Sequence, residues 1–163
     1  MLKTIKFELN ILKKEIITFT IKRKAIDRGE YKEFIGNSKL MHKYDIYNCG
    51  AVYMDGSIYI LWEEEFYNKL NEKERLYCRL HELGHFNGYT TLSQLFKNER
   101  SLDEEVKADS NAVNKMGYQD VIESMTNILN YIEECQKPEM QQRINIQNMM
   151  FKTSQYVKKY SAQ

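Results

Sequence analysis

Near Glu63 the apolar residues of this 163-residue chain change period, and that switch limits the fold more than any other feature. Upstream, Ala51-Val-Tyr-Met54 and Ser57-Ile-Tyr-Ile-Leu61 flank Asp55-Gly56. That pair suits the two positive-φ positions of a tight hairpin turn. Ile5, Phe7, Leu9 and Ile11 alternate with Thr4, Lys6, Glu8 and Asn10, and Ile17-Phe19-Ile21 alternates again, which predicts another hairpin. Residues 23–45 are polar and fit a short helix or a long loop. Downstream the spacing is helical and the starts are marked. Asn71 with Glu74, Ser101 with Glu104 and Asp120 with Glu123 each match a capping box. Leu76, Leu80 and Leu83 predict the buried face of the first of these helices, which should reach Phe86 and stop at Asn87-Gly88. The second should end near Gly117, and the third carries Val121, Ile122, Met125, Ile128, Leu129 and Ile132. Pro138 suits the first turn of a final helix bearing Met140, Ile144 and a Met/Phe cluster at 149–151, a core or docking face. Strands then helices, with no Pro/Gly/Ser linker, predict an α+β fold. We expect one domain over residues 1–163, with a small N-terminal β-sheet and a mainly helical C-terminal half.

Charge narrows the partners. With 24 Lys+Arg against 23 Asp+Glu, the net charge of +1 gives no reason to expect direct nucleic-acid binding or an anionic membrane surface. No apolar run approaches a membrane span, and the charges interleaved through Met1–Glu8 argue against a signal peptide. Cys49, Cys78 and Cys135 are odd in number and form no C-x-x-C pair. This disfavours both a disulfide framework and a thiolate zinc site, and points to a reducing, cytoplasmic setting.

Two of the three histidines stand in His81-Glu82-Leu83-Gly84-His85, an H-E-x-x-H pattern inside the helix that Asn71 caps. Four residues make about one turn, so both imidazoles leave one face and can share a metal ion. Glu82 is rotated by about 100°, which places it beside the metal's open position. Two histidines require a third protein ligand, the fourth place being left to water. The segment beginning at Ser101 offers one. Glu105, Ala108, Asp109 and Ala112 form one helical stripe. The alanines permit close approach to the H-E-x-x-H helix. Glu105 can then ligate, while Asp109, one turn on, can take a ligand histidine's second N–H. Asp103 and Glu104 are rival carboxylates, although Glu104 is better used in its capping box and both suit a helix start.

H-E-L-G-H followed by E-x-x-A-D at 105–109 resembles the gluzincins, zinc peptidases whose third ligand is a glutamate on a second helix. Tyr47-Asn-Cys-Gly-Ala51 and the hairpin after it resemble the edge strand before the active-site helix in the HtpX and CaaX-prenyl-protease type. Leu70-Asn-Glu-Lys-Glu74 is similar to that group's helix opening, the stretch from Ala112 to Tyr118 continues the match, and Lys137-Pro138 with Arg143-Ile144 resembles its H-P…R-I segment. The resemblance covers roughly residues 47–148. It departs from the group in lacking membrane helices and in having Lys137 where a histidine is usual. The soluble ImmA/IrrE metallopeptidases of bacteria and their mobile elements resemble the same two motifs.

The resemblance implies a zincin-like fold and a zinc metalloendopeptidase. His81, His85 and Glu105 would hold Zn²⁺, with Glu82 as general base. A protein or peptide substrate would add a strand along the edge at Ala51, Val52 and Tyr53. Arg143 is the first choice to steady the oxyanion, ahead of Lys137, His42 and the tyrosines. A protein partner could select the substrate. Two other readings share the motifs: a catalytically silent gluzincin-fold module, and an ImmA-like regulatory peptidase that cleaves a repressor. Cys78, one turn before His81, reads as a buried core thiol. The Lys-, Ile-, Asn- and Tyr-rich usage suggests a bacterial or phage genome.

Overall fold

The computed structural model describes residues 15–44, 46–86 and 101–161. The fold is α+β, with a four-stranded mixed sheet and mostly helical content. The chain divides into two compact units, Met1–Asn68 and Lys69–Gln163.

In the first unit, residues 15–24 form helix α1. The alternation Ile17-Phe19-Ile21 predicted a strand there, and the structure corrects it. Ile17 and Ile21, one turn apart, enter the core with Phe34, Met41, Ile46, Tyr59 and Leu61, whereas Phe19 is exposed. Three apolar residues at alternate positions satisfy both periods, and burial of two of them on one helical face decides between the two. The companion strand expected over residues 4–11 lies outside the described residues.

The sheet comprises β1 (Ile26–Asp27), β2 (Lys32–Gly36), β3 (Cys49–Met54) and β4 (Ser57–Glu63), in the order β1-β2-β4-β3. β2 runs parallel to β4 and the other pairs are antiparallel. The β3–β4 hairpin forms where expected. Asp55 (φ 48°) and Gly56 (φ 75°) both take the left-handed turn conformation, and Met54 faces Ser57 across the ladder. Among the described residues β3 is an edge strand, with Ala51, Val52 and Tyr53 paired to β4 on one side. The polar stretch 23–45 conceals β2. Its Glu33 is buried because Trp62 Nε1 donates to Oε1 (2.9 Å) and Arg28 Nε donates to Oε2 (3.0 Å). Between β2 and β3 lie α2 (Ser38–Met41) and a 3-10 turn, His42–Tyr44; α3 (Glu64–Lys69) follows β4.

The second unit holds α4 (Glu72–Gly84), α5 (Leu102–Met116), α6 (Tyr118–Ile128) and α7 (Lys137–Ser161). α4 lies against α5 and α6, and α7 packs on the same two helices. The capping boxes of Asn71/Glu74 and Ser101/Glu104 are both formed. The third does not form: α6 starts after Gly117 with no side-chain cap, while Asp120 and Glu123 both pair with Lys73. Helix α6 buries Val121, Ser124, Met125 and Ile128 and ends there, short of Ile132. Pro138 lies in the first turn of α7, and Ile144 is buried, but Met149, Met150 and Phe151 are exposed. Among the described residues no helix is long and apolar enough to cross a membrane.

Candidate metal centre

The buried face of α4 differs from the leucine stripe expected for it. Leu76 is 42% exposed, whereas Glu74, Tyr77, Cys78, His81, Glu82 and Leu83 are buried. Positions 74, 77, 78, 81, 82 and 85 recur at helical spacing, so the inward stripe consists largely of polar groups. His85 follows the last helical residue with φ −64° and ψ −21°, which preserves its one-turn relation to His81. Glu74 is satisfied in its buried position by Asn71 and by Asn127 of α6.

The stripe of α5 expected to face it is Glu105, Ala108, Asp109 and Ala112, and all four residues are buried. Two features draw α5 close. A Cβ on Gly84 would come within 2.8 Å of Ala108 Cα and 2.9 Å of its carbonyl oxygen, so the helices touch backbone to backbone. Asn111 Nδ2 also donates to the Leu80 carbonyl (2.7 Å). The approach brings Glu105 to the histidines.

His81 Nε2 lies 3.1 Å from Glu105 Oε2, His85 Nε2 lies 3.5 Å from Glu105 Oε1, and the two Nε2 atoms are 3.1 Å apart. One nitrogen or oxygen from each of these residues falls within 4.8 Å of the others. Behind them, His81 Nδ1–H donates to Asp109 Oδ1 (2.8 Å), which turns Nε2 toward Glu105 and His85. Of the rival carboxylates on α5, Glu104 completes the capping box and Asp103 is exposed.

Asp109 is fully buried and collects four donors. Oδ1 accepts from His81, from the Tyr77 hydroxyl (2.8 Å) and from Arg143 Nη2 (2.6 Å), and Oδ2 accepts from Arg143 Nε (2.8 Å). Arg143 Nη2 also donates to the Tyr77 oxygen (3.0 Å), and Nη1 lies 3.3 Å from Glu105 Oε2. Nη2 comes within 3.1 Å of His81 Nδ1, an approach made tolerable because both nitrogens donate to the same carboxylate oxygen.

Charge follows this geometry. Burial and the Arg143 charge favour the neutral form of His81, but Asp109 and Glu105 outweigh them and raise its pKa to about 9. Burial alone would push Glu105 up, yet its hydrogen bond to His81 and the surrounding positive charges bring it down to about 2. Asp109 is held well below the usual carboxylate range in the same way, despite its burial, by His81 and Arg143. Burial, then Asp109, keeps the Tyr77 phenol far above its ordinary value, so it remains a neutral donor. With His81 protonated, two carboxylates face an imidazolium and a guanidinium and their charges cancel.

The expected ligands and Asp109 are thus gathered in one unit. Arg143 joins them, with Nε, Nη1 and Nη2 directed at Asp109, Glu105 and Tyr77. The other oxyanion candidates have different partners. Lys137 Nζ pairs with Glu134 (2.5 Å) at the exposed start of α7. His42, in the first unit, pairs with Glu63 (2.7 Å) and stacks on Tyr47. Tyr77 is one of twelve tyrosines, and its only sequence signal is its place on the His81 stripe one turn earlier. Cys78 is buried as expected. No protein-family model, curated protein or solved structure matches the chain.

Proposed function

We propose that the second unit carries a zincin-like active site and that the protein is a zinc-dependent metallopeptidase. The observation that carries this reading is the convergence of His81, His85 and Glu105 from two helices, with Glu82 next to the first ligand. Two imidazoles and one carboxylate are a donor set suited to zinc with a coordination place left open. His81 and His85 would bind through Nε2 and Glu105 through its carboxylate, while Asp109 fixes the His81 tautomer. When bound, the ion would acidify a water and polarise the scissile carbonyl. Glu82 takes the proton from the attacking water and delivers it to the leaving amine. Its low exposure limits competing exchange with solvent.

Metal analysis of protein purified without chelator, combined with a Glu82→Gln variant, tests this reading. One zinc per chain is expected in both proteins, with peptide-bond hydrolysis by the wild type and at least a hundredfold loss in the variant. Zinc retained by a wild type that cleaves no peptide library would overturn the enzyme and leave a structural metal site. Failure to bind added zinc would overturn the metal reading itself.

A further inference from the structure

The geometry points to Arg143 as the positioning residue of the ligand set, through which α7 fixes where the α5 carboxylates stand relative to the histidines. The inference rests on the zinc reading and extends it to a residue outside the ligand set itself. Arg143 is 6% exposed and sends three nitrogens in three directions: Nε and Nη2 to both oxygens of Asp109, Nη2 also to Tyr77, and Nη1 to Glu105 Oε2. Asp109 and Glu105 are one turn apart on α5. A planar guanidinium that meets both carboxylates defines the orientation of each relative to the other. Asp109 holds His81 Nδ1 and Glu105 faces His81 Nε2, so the same cation sets both sides of one imidazole. Gln147, one turn beyond Arg143, anchors the same face of α7 by donating to the Val106 carbonyl (3.1 Å) and Ser110 Oγ (3.2 Å).

Electrostatics and positioning predict opposite signs for the removal of Arg143. A fixed positive charge beside the ligands repels a second cation, so if charge were all that mattered, Arg143→Gln would bind zinc more tightly. If the guanidinium positions the carboxylates, the same variant binds zinc more weakly, by roughly ten- to a hundredfold, as for other residues that orient metal ligands.

The test is a zinc titration against a competing chromophoric chelator on the full chain, with circular dichroism and melting of the metal-free protein alongside. Cobalt(II) spectra provide a second readout of ligand geometry. Weaker zinc binding by folded Arg143→Gln, with an altered cobalt spectrum, is the expected result. Unchanged or tighter binding overturns the proposal. If that variant does not fold, Arg143→Lys keeps the charge but lacks the fork that meets Asp109 and Glu105 together. A loss of tenfold or more in Arg143→Lys supports positioning, and an affinity within threefold of wild type overturns it. A wild type that binds no zinc overturns the metal reading instead, so the two failures are distinguishable.

Discussion

His81 and Asp109 show how one side chain acquires its role here. An imidazole between two buried carboxylates is held by its surroundings on both nitrogens, one already committed to Asp109 and the other aimed at Glu105. Local spacing made each half of this arrangement legible, His81 with His85 on one helical face and Glu105 with Asp109 on another, because residues three, four and seven apart share a face; the two alanines beside the carboxylates signalled that the faces could meet closely. Arg143 and Tyr77 were not legible in the same way. Their roles depend on a contact across 66 residues that no local period encodes. The cysteines give a test at this scale. Burial, with Glu82 next, pushes the Cys78 thiol far up, whereas Cys135 is exposed and Cys49 is intermediate. Iodoacetamide at pH 8 should modify Cys135 at least tenfold faster than Cys78 in the folded protein, and Cys78 should react only on unfolding. Peptide mapping by mass spectrometry checks this, and equal rates would contradict the buried placement of α4's inward face.

Among the elements, the α4–α5 pair brings His81, His85 and Glu105 together, and Gly84 sets its spacing. A methyl group at that position would meet Ala108 backbone atoms, which cannot rotate away as a side-chain tip could. Gly84→Ala should therefore destabilise the protein by about 1–3 kcal/mol through overpacking, despite alanine's better helix propensity. Urea unfolding of the metal-free protein measures this, and a stabilised variant would show that the close approach is not maintained. The same pair explains where pattern reading failed. Leu76, Leu80 and Leu83 share a face by spacing, but α4 turns mainly polar groups inward, so that Leu83 is buried while Leu76 lies in solvent. β2 was hidden by the same cause, a buried glutamate whose partners lie elsewhere in the chain. Capping boxes were reliable where both partners remained local, at Asn71 and Ser101. The box at Asp120 failed because Lys73 takes both of its acids.

For the whole molecule, the charged cluster defines a pH window. Glu105 is depressed from 4.5 to about 2, and Asp109 is depressed from 3.8. The stability they contribute is present above their unfolded values and is lost as pH falls through the folded ones. His81 is raised from 6.5 to about 9, so its contribution is complete below 6.5 and is lost as pH rises through 9. Metal-free protein should thus melt at its highest temperature between about pH 4.5 and 6.5, with a decline on either side. Saturating zinc should flatten the alkaline limb, because a ligating imidazole must be neutral. Scanning calorimetry with and without chelator checks both statements, and a metal-free melting temperature that rises from pH 6.5 to 9 would contradict them. The separation in sequence of Arg143 from its partners also has a consequence in time. Asp109 leaves the ribosome 34 residues before the arginine that grips both of its oxygens, and Tyr77 leaves 66 residues before it. While the chain is being made, the histidines and both α5 carboxylates are complete but unclamped. The contacts of Arg143 with Asp109, Tyr77 and Glu105 can form only once α7 has been synthesised and docked.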